Sequence, residues 1–123
     1  MTMKEKLLKV QQIINNEKSE EFKNKWLGQY LTGDVTLTFG DKPYTLTFNK
    51  GTIIEVMEGT NLTGVEMGVT GPQAGWDELY GHRNFSKAIG PKHGQLKLQG
   101  NMVKCIGNLN CLGYIARVLC SVV

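Results

Sequence analysis

The chain has 123 residues, a length that fits one domain with a single hydrophobic core and is too short for two. Hydrophobic residues at 41% and charged residues at 20% exclude an intrinsically disordered protein. The net charge is only +3, and the lysines are scattered, many of them among glutamates near the amino terminus, so the basic stripe of a nucleic-acid-binding protein is absent.

The first predicted elements are helical. Apolar side chains recur there at helical spacing, at Leu7, Val10, Ile14, Phe22 and Trp26. Asn15 and Asn16 interrupt the pattern, which indicates either two short helices or one kinked helix. Either arrangement supplies an apolar face that can cover a sheet.

Four segments then alternate apolar and polar side chains with the period of two that is typical of half-buried strands. They cover residues 35–39, 44–48, 52–58 and 64–70. Turn-forming sequences at 40–43 and 49–51 join the first three segments, so we predict an antiparallel meander there.

Two helices are predicted next. Pro72 favours a helix start after the fourth strand, and this helix ends at Gly81. A second, shorter helix covers residues 84–89. Their apolar side chains are Trp76, Leu79, Tyr80, Phe85 and Ile89.

A fifth strand and a last helix complete the chain. Leu96 and Leu98 alternate with polar residues, Gly100 ends the strand, and Asn101 can cap the following helix. We predict one helix from there to Leu119, with apolar residues over more than half of its circumference. Such a helix is buried on two sides or faces a cavity.

The cysteines and histidines give no metal-site pattern. Cys105, Cys111 and Cys120 lie in the last helix at spacings that exclude a disulfide within it, so we expect buried, reduced thiols. His82 or His93 with a nearby carboxylate could act as a general base, but both lie in glycine-rich turns. No signal peptide or membrane-spanning run is apparent, which predicts a cytoplasmic protein.

Two motifs resemble the sterol carrier protein type two family. The run Gly94-x-Leu96-Lys97-Leu98-x-Gly100-Asn101-Met102, with Ile106 and Leu109 after it, resembles the family's signature. The run Trp76-Asp77-Glu78-Leu79-Tyr80-Gly81 resembles its aromatic-containing helix. The resemblance implies a single α/β (α+β) domain over residues 1–123. It further implies a five-stranded mixed sheet, helices covering mainly one face, and an apolar tunnel between them that holds a lipid.

The predicted function is non-catalytic binding of an apolar lipid in that tunnel, with transfer left open. A fatty acid, a fatty acyl-CoA, a sterol-like molecule and an isoprenoid all remain candidates. One predicted wall consists of Trp76, Leu79, Tyr80, Phe85 and Ile89, and the other of Leu96, Met102, Ile106 and Leu109. We expect no cofactor and no metal, a monomer or weak dimer, and at most transient membrane contact.

Two alternatives remain. The fold could serve as a lipid-independent protein-interaction module, which would show a filled core and an exposed apolar patch along the last helix. It could also be a small enzyme that uses His82 or His93 on a hydrophobic substrate.

Overall fold

The computed structural model describes residues 2–62, 64–90, 92 and 94–123. Within these ranges five strands form one mixed sheet: β1 (Gly33–Phe39), β2 (Lys42–Asn49), β3 (Thr52–Glu58), β4 (Met67–Gly71) and β5 (Lys97–Gly100). Their order across the sheet is β3-β2-β1-β4-β5. The pairing of β1 with β4 is parallel and the other three are antiparallel, so the predicted meander and mixed sheet are confirmed.

Helices cover one face of this sheet. They are α1 (Met3–Gln12), α2 (Gln73–His82), α3 (Phe85–Ala88), α4 (Met102–Gly107) and α5 (Leu109–Val122). Val35, Leu37 and Phe39 point from β1 into the core on this face, as their alternation predicts. The Phe39 ring packs on Trp76 of α2 with 4.4 Å between ring centroids.

The opposite face carries threonines and is crossed by the connection from β3 to β4. The hydroxyls of Thr36 and Thr45 lie 3.0 Å apart, and Thr45 Oγ1 donates to the carbonyl of Gly59 at 2.7 Å. Both threonines are almost fully buried, because the connection lies over them. Their hydroxyls stay paired, so this burial does not leave an unsatisfied polar group.

The amino-terminal helical region is anchored to the edge strand β3. After α1 the chain continues in wider π-helical turns at Ile13–Glu17 and Glu21–Lys25. The Asn15 side chain donates to the carbonyl of Ile53 at 2.8 Å and accepts from its N–H at 2.9 Å. The residue that interrupts the helical pattern is therefore a hydrogen-bonding contact between helix and sheet.

The last helix is broken in two, so the prediction of one continuous helix was wrong. Asn101 caps α4 by accepting from Lys104 N–H at 3.2 Å, as predicted. At the other end Asn108 donates from Nδ2 to the Lys104 carbonyl at 3.0 Å, and the chain bends before α5. Gly107 favours the break, since glycine in a helix costs about 1 kcal/mol relative to alanine.

Beyond the break α5 is the buried helix, whereas three apolar side chains of α4 face outward and Cys105 alone of its residues is buried. Met102, Val103 and Ile106 are 44%, 82% and 65% exposed, whereas Ile115 and Leu119 are fully buried. The wide apolar surface predicted for this helix is found on α5, which packs against α1, α3 and α4. No helix among the described residues is long and apolar enough to cross a bilayer. The three cysteines are buried and unpaired, as predicted.

Candidate functional site

A cleft of about 410 Å³ lies between three helices. It is bordered by the carboxyl-terminal end of α2, by α3 and by one face of α5. Its apolar lining comes from Trp26, Leu79, Phe85, Leu109, Gly113 and Tyr114. Its polar lining comes from His82, Arg83, Asn84, Ser86, Asn110, Arg117 and Cys120. The volume is in the lower part of the range typical of small-molecule sites.

The corner between α2 and α3 shapes one wall of the cleft. Arg83 follows α2 with φ 53° and ψ 33°, a left-handed conformation in which its N–H donates to the Leu79 carbonyl at 2.7 Å. Asn84 then caps α3 by accepting from Lys87 N–H at 3.0 Å. This tight reversal sets the Phe85 ring against α5, where a Cβ at Gly113 would lie 3.3 Å from the ring.

The floor is aromatic and joins both ends of the chain. Tyr114 of α5 packs on Phe22 and Trp26, with ring centroids 5.5 and 5.6 Å apart. Its hydroxyl donates to Glu21 Oε2 at 3.1 Å. Burial, and then this hydrogen bond, raise the pKa of Tyr114 to about 12, and the same bond lowers the pKa of Glu21.

A second cavity of about 360 Å³ borders the first. The two share Arg83, Tyr114 and Arg117. The additional lining residues of the second are Ile13, Lys18, Glu21, Val118 and Ser121. Both arginines therefore line both cavities.

His82 and Cys120 are the cleft residues that come closest to catalytic groups. His82 Nδ1 accepts the backbone N–H of Asn84 at 3.0 Å, so the neutral ring carries its proton on Nε2, 3.9 Å from Glu78 Oε1. The lone pair that a general base needs is therefore engaged. Burial raises the pKa of the Cys120 thiol, which donates to the Leu79 carbonyl, and a protonated thiol is a poor nucleophile.

The structure brings only part of the predicted walls together. Leu79, Phe85 and Leu109 line the cleft. Trp76 and Leu96 are buried in the core beneath it, where Trp76 Nε1 donates to the Thr38 carbonyl at 2.9 Å.

The remaining predicted wall residues lie outside the cleft. Tyr80 and Ile89 are half-buried at the edge of the core, and burial raises the pKa of Tyr80. Met102 and Ile106 are exposed on α4.

The predicted tunnel between sheet and helices is not seen in the described part of the chain. Neither cavity is lined by a strand residue. Trp76, Leu79 and Leu96 occupy the space over the sheet and are at most 1% exposed. On α5 the cleft residues Leu109, Gly113 and Arg117 lie on the helix face opposite Ile115 and Leu119, which point into the core.

Sequence reasoning missed most of the cleft lining, including Trp26, Arg83, Tyr114 and Arg117. A signal for two of them was available, because Arg83 and Arg117 are the only arginines in the chain. Among the described residues no group of three or more histidine, cysteine or carboxylate side chains could hold a metal ion. His93 lies outside the described residues.

Solved structures of low sequence identity share this architecture. A crystal structure of sterol carrier protein 2 matches over 97% of this chain and 96% of its own, with a TM-score of 0.72 and 14% identity. The chain has the sterol carrier protein 2 fold. A conserved hypothetical protein of Thermus thermophilus, described as possibly a sterol carrier protein, matches over 93% of this chain and 86% of its own (TM-score 0.64, 14% identity).

A third structure, a UbiJ-SCP2 ubiquinone synthesis protein, matches over 97% of this chain and 95% of its own (TM-score 0.58, 14% identity). No protein-family model and no curated protein sequence matches the chain. The structural matches therefore support the fold that the resemblance in the 94–109 segment implied.

Proposed function

We propose that this protein binds, and passes on, an apolar lipid without chemically changing it. The observation that carries the proposal is the cleft of about 410 Å³ and its apolar lining. This lining includes Trp26, Leu79, Phe85, Leu109 and Tyr114. The sterol carrier protein 2 fold supports it, because proteins named as sterol carriers have that fold. The ligand is one of the candidates named above: a fatty acid, fatty acyl-CoA, sterol-like molecule or isoprenoid.

The energetics favour a binder of moderate affinity. Burying ten methylene groups contributes about 8 kcal/mol, at about 0.8 kcal/mol each. Loss of translational and rotational freedom offsets much of this gain. Micromolar binding therefore needs the apolar lining and only a few polar contacts.

Three features support a non-catalytic role in the cytoplasm. The His82 Nδ1 lone pair is engaged by a backbone N–H, and the Cys120 thiol is held protonated. All three thiols are unpaired, which suits a reducing compartment.

The test is a titration of delipidated protein with a fluorescent fatty-acyl probe. We expect saturable binding of about one probe per chain. Asn110 is exposed at the cleft, so Asn110→Trp fills the opening without touching the core and should weaken binding at least about tenfold. Asn49→Trp, at the exposed end of β2, is the matched control and should bind as the wild type does.

Either of two results would overturn this proposal. Folded, delipidated wild-type protein that takes up no probe is not a lipid binder. Binding that is equally tight in Asn110→Trp and in the wild type would place the ligand elsewhere.

A second candidate, the lipid-independent interaction module, is favoured by the exposed apolar face of α4. This face exposes the apolar side chains of Met102, Val103 and Ile106. Soluble domains usually keep such contiguous apolar surface small unless it binds a partner. A substitution that tests this face is given in the Discussion.

A further inference from the structure

Both arginines of the chain lie at one site. Arg83 comes from the corner after α2 and Arg117 from the middle of α5, and each lines both cavities. The other basic side chains are lysines spread over the sequence. Two arginines from separate elements thus line one site that also has apolar side chains.

The two arginines have no carboxylate partner among the described residues. In the described part of the chain no carboxylate forms an ion pair with Arg83 or Arg117. The single carboxylate that lines the two cavities is Glu21, which is engaged by the Tyr114 hydroxyl at 3.1 Å and by Lys18 Nζ at 3.8 Å. The lining of the two cavities therefore carries a net positive charge, because it has three basic side chains (Lys18, Arg83 and Arg117) and one carboxylate (Glu21).

We propose that Arg83 and Arg117 form an anion subsite that holds the carboxylate or phosphate head of an amphipathic lipid. The hydrocarbon chain of this lipid lies against the apolar lining residues Trp26, Phe85 and Leu109. Guanidinium groups match both anions through paired hydrogen bonds. This inference rests on the proposed function and narrows it, because sterols and neutral isoprenoids lack such a head. It selects fatty acids and phosphate-bearing lipids from the candidate ligands.

The test compares ligands that share one hydrocarbon chain and differ in the head. Dodecanoate, dodecyl phosphate and dodecanol are titrated calorimetrically into delipidated protein, with inorganic phosphate as a ligand without a chain. We expect at least about tenfold tighter binding of the two anionic lipids than of dodecanol. Raising the salt concentration should weaken the anionic lipids and leave dodecanol unchanged.

The variant is Arg83→Gln with Arg117→Gln, two exposed positions, and we expect it to bind all three lipids with similar affinity. Lys42→Gln with Lys97→Gln removes the same charge from exposed positions on the sheet and should keep the preference. Arg117→Gln alone, in the middle of α5, serves if the double variant fails to fold.

The outcomes separate this inference from the proposed function. A head-group preference that survives in Arg83→Gln/Arg117→Gln overturns the subsite while lipid binding stands. Inorganic phosphate that binds as tightly as dodecyl phosphate also overturns it, because the site would then recognise a free anion. No binding of any of the three lipids by the wild type overturns the proposed function itself.

Discussion

Arg83 occupies a backbone conformation that costs free energy for nearly every residue except glycine. Lys50 in the turn between β2 and β3 has the same property, with φ 50° against 53° for Arg83. Lys50 lines neither cavity, whereas Arg83 lines both. Comparing substitutions of Arg83 and Lys50 therefore separates the effect of the backbone conformation on stability from the effect of the side chain on ligand binding.

We predict that Arg83→Gly stabilises the fold and weakens binding. Relief of left-handed strain should raise the free energy of unfolding by up to about 1 kcal/mol, after allowing for the greater freedom of glycine in the unfolded chain. The same variant should weaken dodecanoate binding at least about fivefold, because one of two guanidinium groups is lost. Urea denaturation and calorimetry measure the two effects.

Lys50→Gly is the control for both charge and strain. It should give a similar gain in stability and unchanged dodecanoate binding. If both glycine variants bind dodecanoate like the wild type, Arg83 has no role in the ligand site.

At the scale of elements, the α4–α5 break decides which apolar residues face water. Ile106 was predicted to line the ligand site in a continuous helix, but the bend at Asn108 leaves it on the surface. Ile115, on α5, lies fully buried in the core. These two isoleucines, nine positions apart, give a direct test of the break.

Ile106→Ser should change the free energy of unfolding by no more than about 0.5 kcal/mol, as expected for an exposed position. Ile115→Ser should lower it by about 3 kcal/mol or more, since it leaves a cavity and buries a hydroxyl. Chemical denaturation measures both. Lipid binding should be unchanged in Ile106→Ser. A loss of lipid binding in this variant would mean that α4 contributes to the ligand site.

The same variant tests the interaction module. If the exposed face of α4 docks a partner copy, Ile106→Ser should reduce self-association in sedimentation experiments while lipid binding persists. A chain that binds no lipid but loses its self-association in this variant would favour the module over the carrier.

The strands could be predicted from sequence because their evidence is local. Alternation at Val35, Leu37 and Phe39 already shows which side of β1 faces the helices, and Asn101 is a visible helix cap. The break at Asn108 was missed because the apolar pattern runs straight through it. At the break, both the backbone N–H and the side chain of Asn108 donate to the Lys104 carbonyl.

The site was harder to predict than the sheet, since it depends on contacts between distant parts of the chain. Leu79, Phe85 and Leu109 were found because they are apolar and lie near the family motifs. Trp26 and Arg117 were missed because nothing in the local sequence brings them together. Their proximity exists only once the amino-terminal segment has packed on α5.

At the scale of the whole molecule, the two ends of the chain meet at the cleft. The Tyr114 hydroxyl and Glu21 are 93 residues apart in sequence and 3.1 Å apart in space. Cys111 donates to the Trp26 carbonyl at 3.3 Å in the same region. A ligand that binds here needs both ends of the chain in place, so it binds only the folded state and should therefore stabilise it.

The Tyr114–Glu21 contact also makes stability depend on pH in two directions. The pKa of Tyr114 is raised to about 12 from the ordinary value near 10, so the folded state keeps a proton that the unfolded state releases between these values. Stability from this group is therefore complete below about pH 10 and falls as pH rises towards 12, by at most about 1.4 kcal/mol per pH unit. The lowered pKa of Glu21 acts oppositely, since its contribution is present above the unfolded-state pKa and is lost as pH falls through the folded-state value.

We predict that Tyr114→Phe flattens both limbs of the pH–stability curve. The alkaline limb becomes shallower because the protein no longer holds that phenolic proton, and the acid limb weakens because Glu21 loses its strongest hydrogen-bond donor. Urea denaturation at a series of pH values from acid to alkaline measures both slopes. Tyr30→Phe, which removes a hydroxyl from a side chain that is 74% exposed, is the control. Identical slopes in Tyr114→Phe and the wild type would mean that the contact between the two ends does not persist in solution.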